Sequence, residues 1–270
     1  MLAIGERINT VRKTVLEAYE RKDSEFFRQE AIRQAEAGAD VIDINAGTDI
    51  TVEPKNMAWA VSVVQDAIDL PLCIDSPNPE TIRAGFNACR NKSSAWANSI
   101  NIEKNRIEGV LPVVKEHGCP VVGLCMDLSG IPQTAEKRVE VGKRLAEIVD
   151  RYGIPLEKLY LDPLIEPVSV EQNRGLVCLD TIKGIKSALP EVRTVICLSA
   201  VSFGLPRRRL LHRAYLPLLM YEGIDSVILD PLDHPLMMGL IAAETVMGRD
   251  ESCMKYLTAH REGKLGEHVG

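Results

Sequence analysis

The sequence lacks several features that would assign it to common classes of protein. Its 32 Lys and Arg residues against 38 Asp and Glu residues give a net charge of −6, so it has no overall basic character of the kind that drives nucleic-acid binding. No stretch approaches the roughly 18 apolar residues of a membrane span. The first residues, MLAIGERINTVRK, do not follow the pattern of a signal or transit peptide. These absences predict a cytoplasmic protein that binds neither nucleic acid nor membrane.

The chain also lacks the residue clusters that hold metals or act as nucleophiles. Its 7 cysteines are scattered and form no CxxC pair, which argues against a disulfide framework and a thiolate zinc site. Its 5 histidines are dispersed along the chain, so the sequence predicts no bound metal. A GxSxG motif and an activated thiol are both missing, and covalent catalysis therefore has no candidate nucleophile.

What the sequence does contain is a short apolar segment, repeated along the chain, that ends at polar residues. LYLDPLI (Leu159 to Ile165) and VILDPLD (Val227 to Asp233) both run into an aspartate and then a proline. Such segments are continuously apolar and too short for helices, so they are typical of buried parallel strands. Eight of them alternate with helical patterns, and they begin at Leu2, Ala39, Pro71, Ser94, Pro120, Leu159, Thr194 and Ser226.

This alternation predicts an α/β protein with the fold of a (βα)8 TIM barrel. Dividing 270 residues by eight gives about 34 residues for each unit, close to the repeat of a barrel of about 250 residues. A doubly wound open sheet is the alternative, but the Gly-rich GxGxxG fingerprint usual after its first strand is absent. We find no linker or low-complexity segment, so residues 1–270 are predicted to form a single domain.

Polar residues cluster where the predicted strands end. In a barrel these ends open on one face, which is where active sites are built. Each residue taken alone is more often a helix cap or a turn former, but their convergence favours a binding site. Carboxylates and amides suit a ligand rich in N–H donors and carrying little charge. The residues concerned are Glu6, Asn9, Asp43, Asn45, Asp75, Asn98, Asn101, Asp127, Asp162, Ser199, Ser202 and Asp230.

A phosphate ligand fits this pattern poorly. Phosphate sites of barrels use glycines and backbone N–H groups after the seventh and eighth strands, whereas Asp230 places a negative charge there. The run Arg207-Arg208-Arg209 follows FGLP at a predicted helix start. It is either a solvated helix face or a clamp for carboxylates or phosphates.

The residues at the strand ends resemble those of the pterin-binding barrels, specifically the methyltetrahydrofolate:corrinoid protein methyltransferases. The similarity extends over nearly the whole chain. DINAG alone would also suit dihydropteroate synthases, but their C-terminal Arg-x-His phosphate motif has no counterpart in TAHREGKLGEHVG. The motifs that carry the resemblance are IGERIN, DINAG, CIDSPNPETI, ANSIN, MDLSGIP, LYLDPLI and LSAVSFGLPRR.

The resemblance implies a pterin in the barrel mouth, with Asp75, Asn98 and Asp162 at the positions that hydrogen-bond the edge of the ring. Glu6, Asp43 and Asn45 match the polar floor around it. The family often has SNVSFG after the seventh strand, with its asparagine near N5, but this chain has Ala200 there. The hydrogen bond from that position is therefore lost. Either activity is lower, another group or water replaces it, or the alanine is an engineered change.

The implied function is methyl transfer between N5 of tetrahydrofolate and the cobalt of a corrinoid on a separate carrier protein. The resemblance also implies a homodimer and no metal bound by the chain itself. Ser199, Ser202, Arg207 and Arg208 are further candidates for substrate binding, the two arginines for a folate carboxylate or a corrinoid phosphate. The alternatives are a pterin enzyme of the dihydropteroate synthase type and a non-catalytic folate-binding barrel.

Overall fold

Eight parallel strands close into a barrel in the computed structural model, which describes residues 1–47 and 49–266. Each strand pairs with the next along the chain, and β1 also pairs with β8. The (βα)8 prediction is confirmed. The strands are β1 (Leu2–Asn9), β2 (Val41–Asn45), β3 (Leu72–Asp75), β4 (Trp96–Ile100), β5 (Val121–Leu124), β6 (Leu159–Asp162), β7 (Arg193–Cys197) and β8 (Ser226–Leu229).

Helices surround the barrel, with two of them between β1 and β2 and two after β8. None of the helices in the described ranges is long and apolar enough to cross a membrane. The helices are α1 (Lys13–Arg21), α2 (Ser24–Glu36), α3 (Glu53–Gln65), α4 (Pro79–Ala88), α5 (Lys104–His117), α6 (Ala135–Arg151), α7 (Arg174–Ala188), α8 (Arg208–Tyr221), α9 (His234–Val246) and α10 (Met254–Arg261).

The barrel interior is a packed plug and not a pore. Each strand contributes one buried side chain to it, and the two largest, Trp96 and Tyr160, have ring centroids 4.1 Å apart. Alternating residues of the same strands face outward and form the larger apolar layer under the helices. The plug consists of Ile4, Val41, Cys73, Trp96, Val122, Tyr160, Val195 and Ile228.

Several polar residues that follow the strands shape local turns, as their residue types favour. Asn101 Oδ1 accepts a hydrogen bond of 2.9 Å from the Glu103 N–H, and Asp127 Oδ1 accepts one of 2.7 Å from the Ser129 N–H. These are the short local bonds by which Asn and Asp stabilise turns. Local turn formation therefore accounts for Asn101 and Asp127.

Close packing of α4 on β3 fixes the strand that ends at Asp75. A Cβ atom on Gly85 of α4 would lie 2.6 Å from Cγ2 of Ile74 in β3. Only a residue without a side chain therefore allows this helix to approach the sheet so closely. The same helix begins at Pro79, after the Asn78 side chain accepts a hydrogen bond of 3.0 Å from the Glu80 N–H.

Candidate active site

A cavity of about 660 Å³ opens at the carboxyl ends of the strands. Every strand of the barrel contributes at least one side chain to its wall or floor, so the cavity lies above the apolar plug. Among the site residues predicted from the sequence, those that line it are Glu6, Asn9, Asp43, Asp75, Asn98, Asp162, Ser199, Arg208, Arg209 and Asp230.

On the β2–β4 side of the cavity, Asp75 is held by its neighbour Asn45. The Asn45 Nδ2 group donates a hydrogen bond of 2.9 Å to Asp75 Oδ2, which leaves Oδ1 for a ligand. Burial raises the pKa of Asp75 to about 6, although the bond from Asn45 lowers it. The Asn45 side chain thus orients Asp75 from outside the cavity wall.

Asp43 and Asn98 complete this side of the cavity. Asp43 Oδ1 is buried and has no hydrogen-bond partner among the described residues. Burial raises the pKa of Asp43 well above its ordinary value, and the negative charge of Asp75 raises it further. The Asp43 carboxyl group and the Asn98 amide both line the cavity, and together they suit a ligand that brings N–H donors.

Asp162 reaches the cavity from the end of β6, in a loop held by a buried arginine. The Leu164 N–H donates a hydrogen bond of 2.7 Å to Asp162 Oδ1. Burial raises the pKa of Asp162 to about 7, against the lowering effect of this bond and of Arg138. Arg138 donates to the Pro163 carbonyl at 3.0 Å and to Glu166 at 2.7 Å. These bonds explain how the DPLI turn presents its aspartate to the cavity.

The β7 side of the cavity carries a cation without an acidic partner. Arg208 Nη2 donates to the Ser199 carbonyl at 2.7 Å, and its Nε donates to Ser202 Oγ at 2.9 Å. Its guanidinium lies 4.4 Å from the ring centroid of Phe203. Among the described residues no carboxylate pairs with Arg208, so its charge is available to an anionic group at the mouth.

His212 lies behind the same arginine. Its Nε2 is 2.7 Å from Ser202 Oγ. Burial lowers the pKa of His212, and the positive charge of Arg208 lowers it further. The imidazole is therefore held in its neutral form beside the cavity.

Asp230, at the end of β8, is surrounded by arginines. Arg7 and Arg12 donate to its Oδ2 at 3.1 Å and 3.3 Å, and an Arg209 nitrogen lies 3.9 Å from the same atom. The expectation that Asp230 makes this rim negative is therefore wrong, because three cations are close to one carboxylate. Its neighbour Asp233 is paired with Arg213 at 2.6 Å.

Besides Asn101 and Asp127, four predicted site residues lie outside the cavity lining. Arg207 precedes α8 with a left-handed φ of 49° and its side chain is exposed. Ser202 is buried behind Arg208, and Asn45 stands behind Asp75. Ala200 lies in a short 3-10 turn (Leu198–Ser202) after β7 and offers no polar side-chain atom.

Comparison with known proteins assigns the family. The family model described as "Pterin binding enzyme" matches residues 5–230. The chain belongs to the pterin-binding enzymes. The chain is 37% identical over 268 residues to the methylcorrinoid:tetrahydrofolate methyltransferase of Eubacterium limosum. This match covers 98% of each of the two chains. It is also 29% identical over 244 residues to the methionine synthase of Mycobacterium tuberculosis, covering 84% of this chain and 20% of that protein.

Solved structures similar to this pterin-binding enzyme share its fold. The dihydropteroate synthase of Xanthomonas albilineans with 4-aminobenzoic acid superposes with a TM-score of 0.68, 20% identity and 92% coverage of each chain. The synthase of Yersinia pestis gives a TM-score of 0.65 at 16% identity, covering 92% of this chain and 93% of the other. At these identities the likeness extends to the barrel alone.

Sequence reasoning missed several residues that line the cavity of this pterin-binding enzyme. His212 belongs to α8, and its spacing of four residues from Arg208 along the helix offered a signal, since residues three or four apart share a helix face. Arg12 and Cys197 gave no such signal, because a loop cation and an apolar-strand thiol are ordinary at those positions. The residues missed are Val11, Arg12, Ser99, Leu124, Cys197, Phe203, His212, Ile228 and Asp233.

Proposed function

We propose that this pterin-binding enzyme is a methyltransferase that moves a methyl group between N5 of tetrahydrofolate and the cobalt of a corrinoid carried by a partner protein. The full-length relationship to a methylcorrinoid:tetrahydrofolate methyltransferase, at 37% identity, is the observation that carries the proposal. The cavity supports it, because its buried acceptors suit a ring that bears N–H donors.

In this proposal Asp75, Asn98 and Asp162 hydrogen-bond the amino and ring N–H groups along one edge of the pterin. Asp43 provides a further acceptor next to them, and Asn45 keeps Asp75 in place. Buried acceptors left without donors cost about 1–3 kcal/mol each. Binding a ligand that supplies the donors recovers this free energy, which is why the acids favour a pterin over an apolar ring.

The rest of the folate extends from the pterin towards the rim. We assign Arg208 to the carboxylates of the glutamate tail, since it is held in position and has no acidic partner among the described residues. Arg207 is exposed at the outer rim and is assigned to phosphate groups of the approaching corrinoid. Ser199 and Ser202 shape this side through their bonds to Glu6 and Arg208.

The enzyme acts mainly by holding two reactants in line. The corrinoid supplies a cobalt that gives up or accepts the methyl group. Alignment of reacting atoms in a preformed site contributes about 7–11 kcal/mol in favourable cases, and proton transfer at N5 adds about 10²–10⁴-fold in rate. No covalent bond to the protein is needed. A cytoplasmic location and a homodimeric state accompany the proposal as expectations.

A methyl-transfer assay tests the function. Purified protein is mixed anaerobically with tetrahydrofolate and free methylcobalamin, and formation of cob(I)alamin and 5-methyltetrahydrofolate is followed by absorbance and chromatography. We expect protein-dependent formation of both products in equal amounts. A protein that binds tetrahydrofolate in calorimetry but yields neither product, with free methylcobalamin or with a methylated corrinoid protein, would instead be a folate-binding barrel. Failure to bind tetrahydrofolate would refute the assignment of the cavity.

A further inference from the structure

Glu6 faces the cavity from β1, two residues after Ile4 of the plug. The pairing of β1 with β2 changes register between Gly5 and Ile8. Ile4 belongs to the plug inside the barrel, whereas Ile8 belongs to the outer apolar layer. Glu6 lies within this irregular segment and its side chain lines the cavity. The register change instead turns Ile8 outward, away from the barrel interior.

Glu6 stands across the cavity from two of the residues assigned to the pterin edge, Asp75 and Asn98. In the order of strands around the barrel, β3 and β4 are opposite β7 and β8. Asp75 ends β3 and Asn98 lies in β4, while Glu6 is bonded to Ser199 just after β7. A pterin held by its amino edge at Asp75 and Asn98 directs its other ring, which contains N5, towards Glu6 and Ser199.

The contacts of Glu6 differ from those of the acids around it. The Ser199 hydroxyl donates to its Oε2 at 2.9 Å, and Cys197 Sγ lies 3.8 Å from the same atom. Its other oxygen, Oε1, has no hydrogen-bond partner within residues 1–47 and 49–266. No arginine or lysine of those ranges forms an ion pair with Glu6, in contrast to Asp230 and Asp233.

Burial keeps a proton on Glu6 more readily than on an ordinary glutamate. Burial is the main cause that raises the pKa of Glu6, and the charge of Asp230 raises it further. The Ser199 hydrogen bond and the charges of Arg12 and Arg208 lower it. The other ionisable groups that line the same space are Asp43, Asp75, Asp162, Cys197, Arg209, His212 and Asp233. The pKa of Glu6 is therefore displaced upwards, the direction that favours a proton donor at neutral pH.

Resting on the proposed function, we infer that Glu6 is a catalytic residue that exchanges the proton of N5 during methyl transfer. When N5 of tetrahydrofolate attacks the methyl group, its lone pair forms the new N–C bond and the Co–C bonding pair remains on cobalt as Co(I). N5 then carries both hydrogen and methyl with a positive charge, and ionised Glu6 removes the proton.

The reverse reaction uses the same groups. Protonated Glu6 donates its proton to N5 of 5-methyltetrahydrofolate, so the nitrogen becomes a better leaving group. The N–CH3 bonding pair returns to N5 as Co(I) attacks the methyl carbon, and the product is tetrahydrofolate with N5–H. Ser199 orients the carboxyl group, so proton exchange at N5 does not depend on a polar side chain at Ala200.

Single-turnover kinetics of Glu6→Gln test the inference. The amide keeps the size and an acceptor for Ser199 but cannot exchange a proton. With methylcobalamin and tetrahydrofolate, we expect the maximal rate to fall by about 10²–10⁴-fold, while the calorimetric Kd for tetrahydrofolate changes by less than about threefold. Between about pH 5 and about pH 9, the pH–rate profile of Glu6→Gln is expected to lack the change in rate that titration of Glu6 causes in the wild type.

Two further variants and the wild type distinguish failure of the Glu6 inference from failure of the proposed function. Glu6→Asp retains a carboxyl group and is expected to keep part of the rate, with a shifted pH profile. Glu147→Gln, an exposed acid on α6, serves as the matched control and leaves the rate unchanged. If Glu6→Gln keeps the wild-type rate within about threefold and the same pH profile, the inference is wrong while the methyltransferase assignment stands. If the wild type itself transfers no methyl group, the proposed function fails instead.

Discussion

Replacing Asp75 by alanine probes how the cavity holds a pterin. Asp75 Oδ2 is already bonded to Asn45, so one carboxylate oxygen remains to accept an N–H of the ligand. A hydrogen bond to a charged group contributes about 1.5–3 kcal/mol, and about 1.4 kcal/mol corresponds to a tenfold change in Kd. We therefore expect Asp75→Ala to weaken tetrahydrofolate binding by about 10- to 150-fold, measured by isothermal titration calorimetry.

The pH dependence of binding sharpens this prediction. The pKa of Asp75 is raised to about 6 by burial, so protonation below that pH removes the acceptor. Wild-type affinity should decrease as the pH falls through about 6, and Asp75→Ala should lose that component. Asp127→Ala, which removes a partly buried acid outside the cavity lining, is the control. Unchanged affinity in both Asp75→Ala and Asp162→Ala, in proteins that remain folded, would refute the assignment of the pterin edge.

Three other substitutions have distinct expected effects. Ala200→Asn adds an amide after β7. We expect turnover to rise by about tenfold or more, with little change in the Kd for tetrahydrofolate. Unchanged turnover would mean that an amide at this position does not stabilise the transition state. The pKa of Asp162 is about 7 in the folded protein, compared with about 3.9 in the unfolded chain. Between these two pH values the folded state binds more protons than the unfolded state. The contribution of Asp162 to the free energy of unfolding therefore falls as the pH rises from about 3.9 to about 7. Asp162→Asn should therefore show a smaller decrease in Tm between about pH 5 and about pH 8 by calorimetry, and an unaltered pH profile would argue against this titration. Arg208→Met should raise the KM for tetrahydrofolate but not for a tetrahydropterin without the glutamate tail, and equal effects on both would exclude Arg208 from the tail site.

The barrel was predictable from the sequence because its signals are local. Each strand is a short apolar run, and each run ends at residues such as Asp75 and Asp162, so strand number and strand ends can be counted directly. Parallel topology then places those ends on one face without any knowledge of long-range contacts. That is why the cavity-lining acids could be named in advance.

Contacts between distant parts of the chain could not be predicted in the same way. Arg7 and Asp230 are 223 residues apart, and the sequence around either residue does not predict the hydrogen bond between them. The outward direction of Ile8 depends on a register change in β1 that alternation alone does not reveal. Arg207 and Arg208 are adjacent and identical in type, yet only Arg208 lines the cavity, because the left-handed backbone at Arg207 turns the chain there.

A crystal structure of the enzyme soaked with tetrahydrofolate tests the central claim most directly. We predict that the pterin occupies the cavity at the carboxyl ends of the strands, with its amino edge on Asp75, Asn98 and Asp162 and with N5 facing Glu6. A pterin bound anywhere else, or bound in the cavity with its amino edge towards Glu6, would contradict the account.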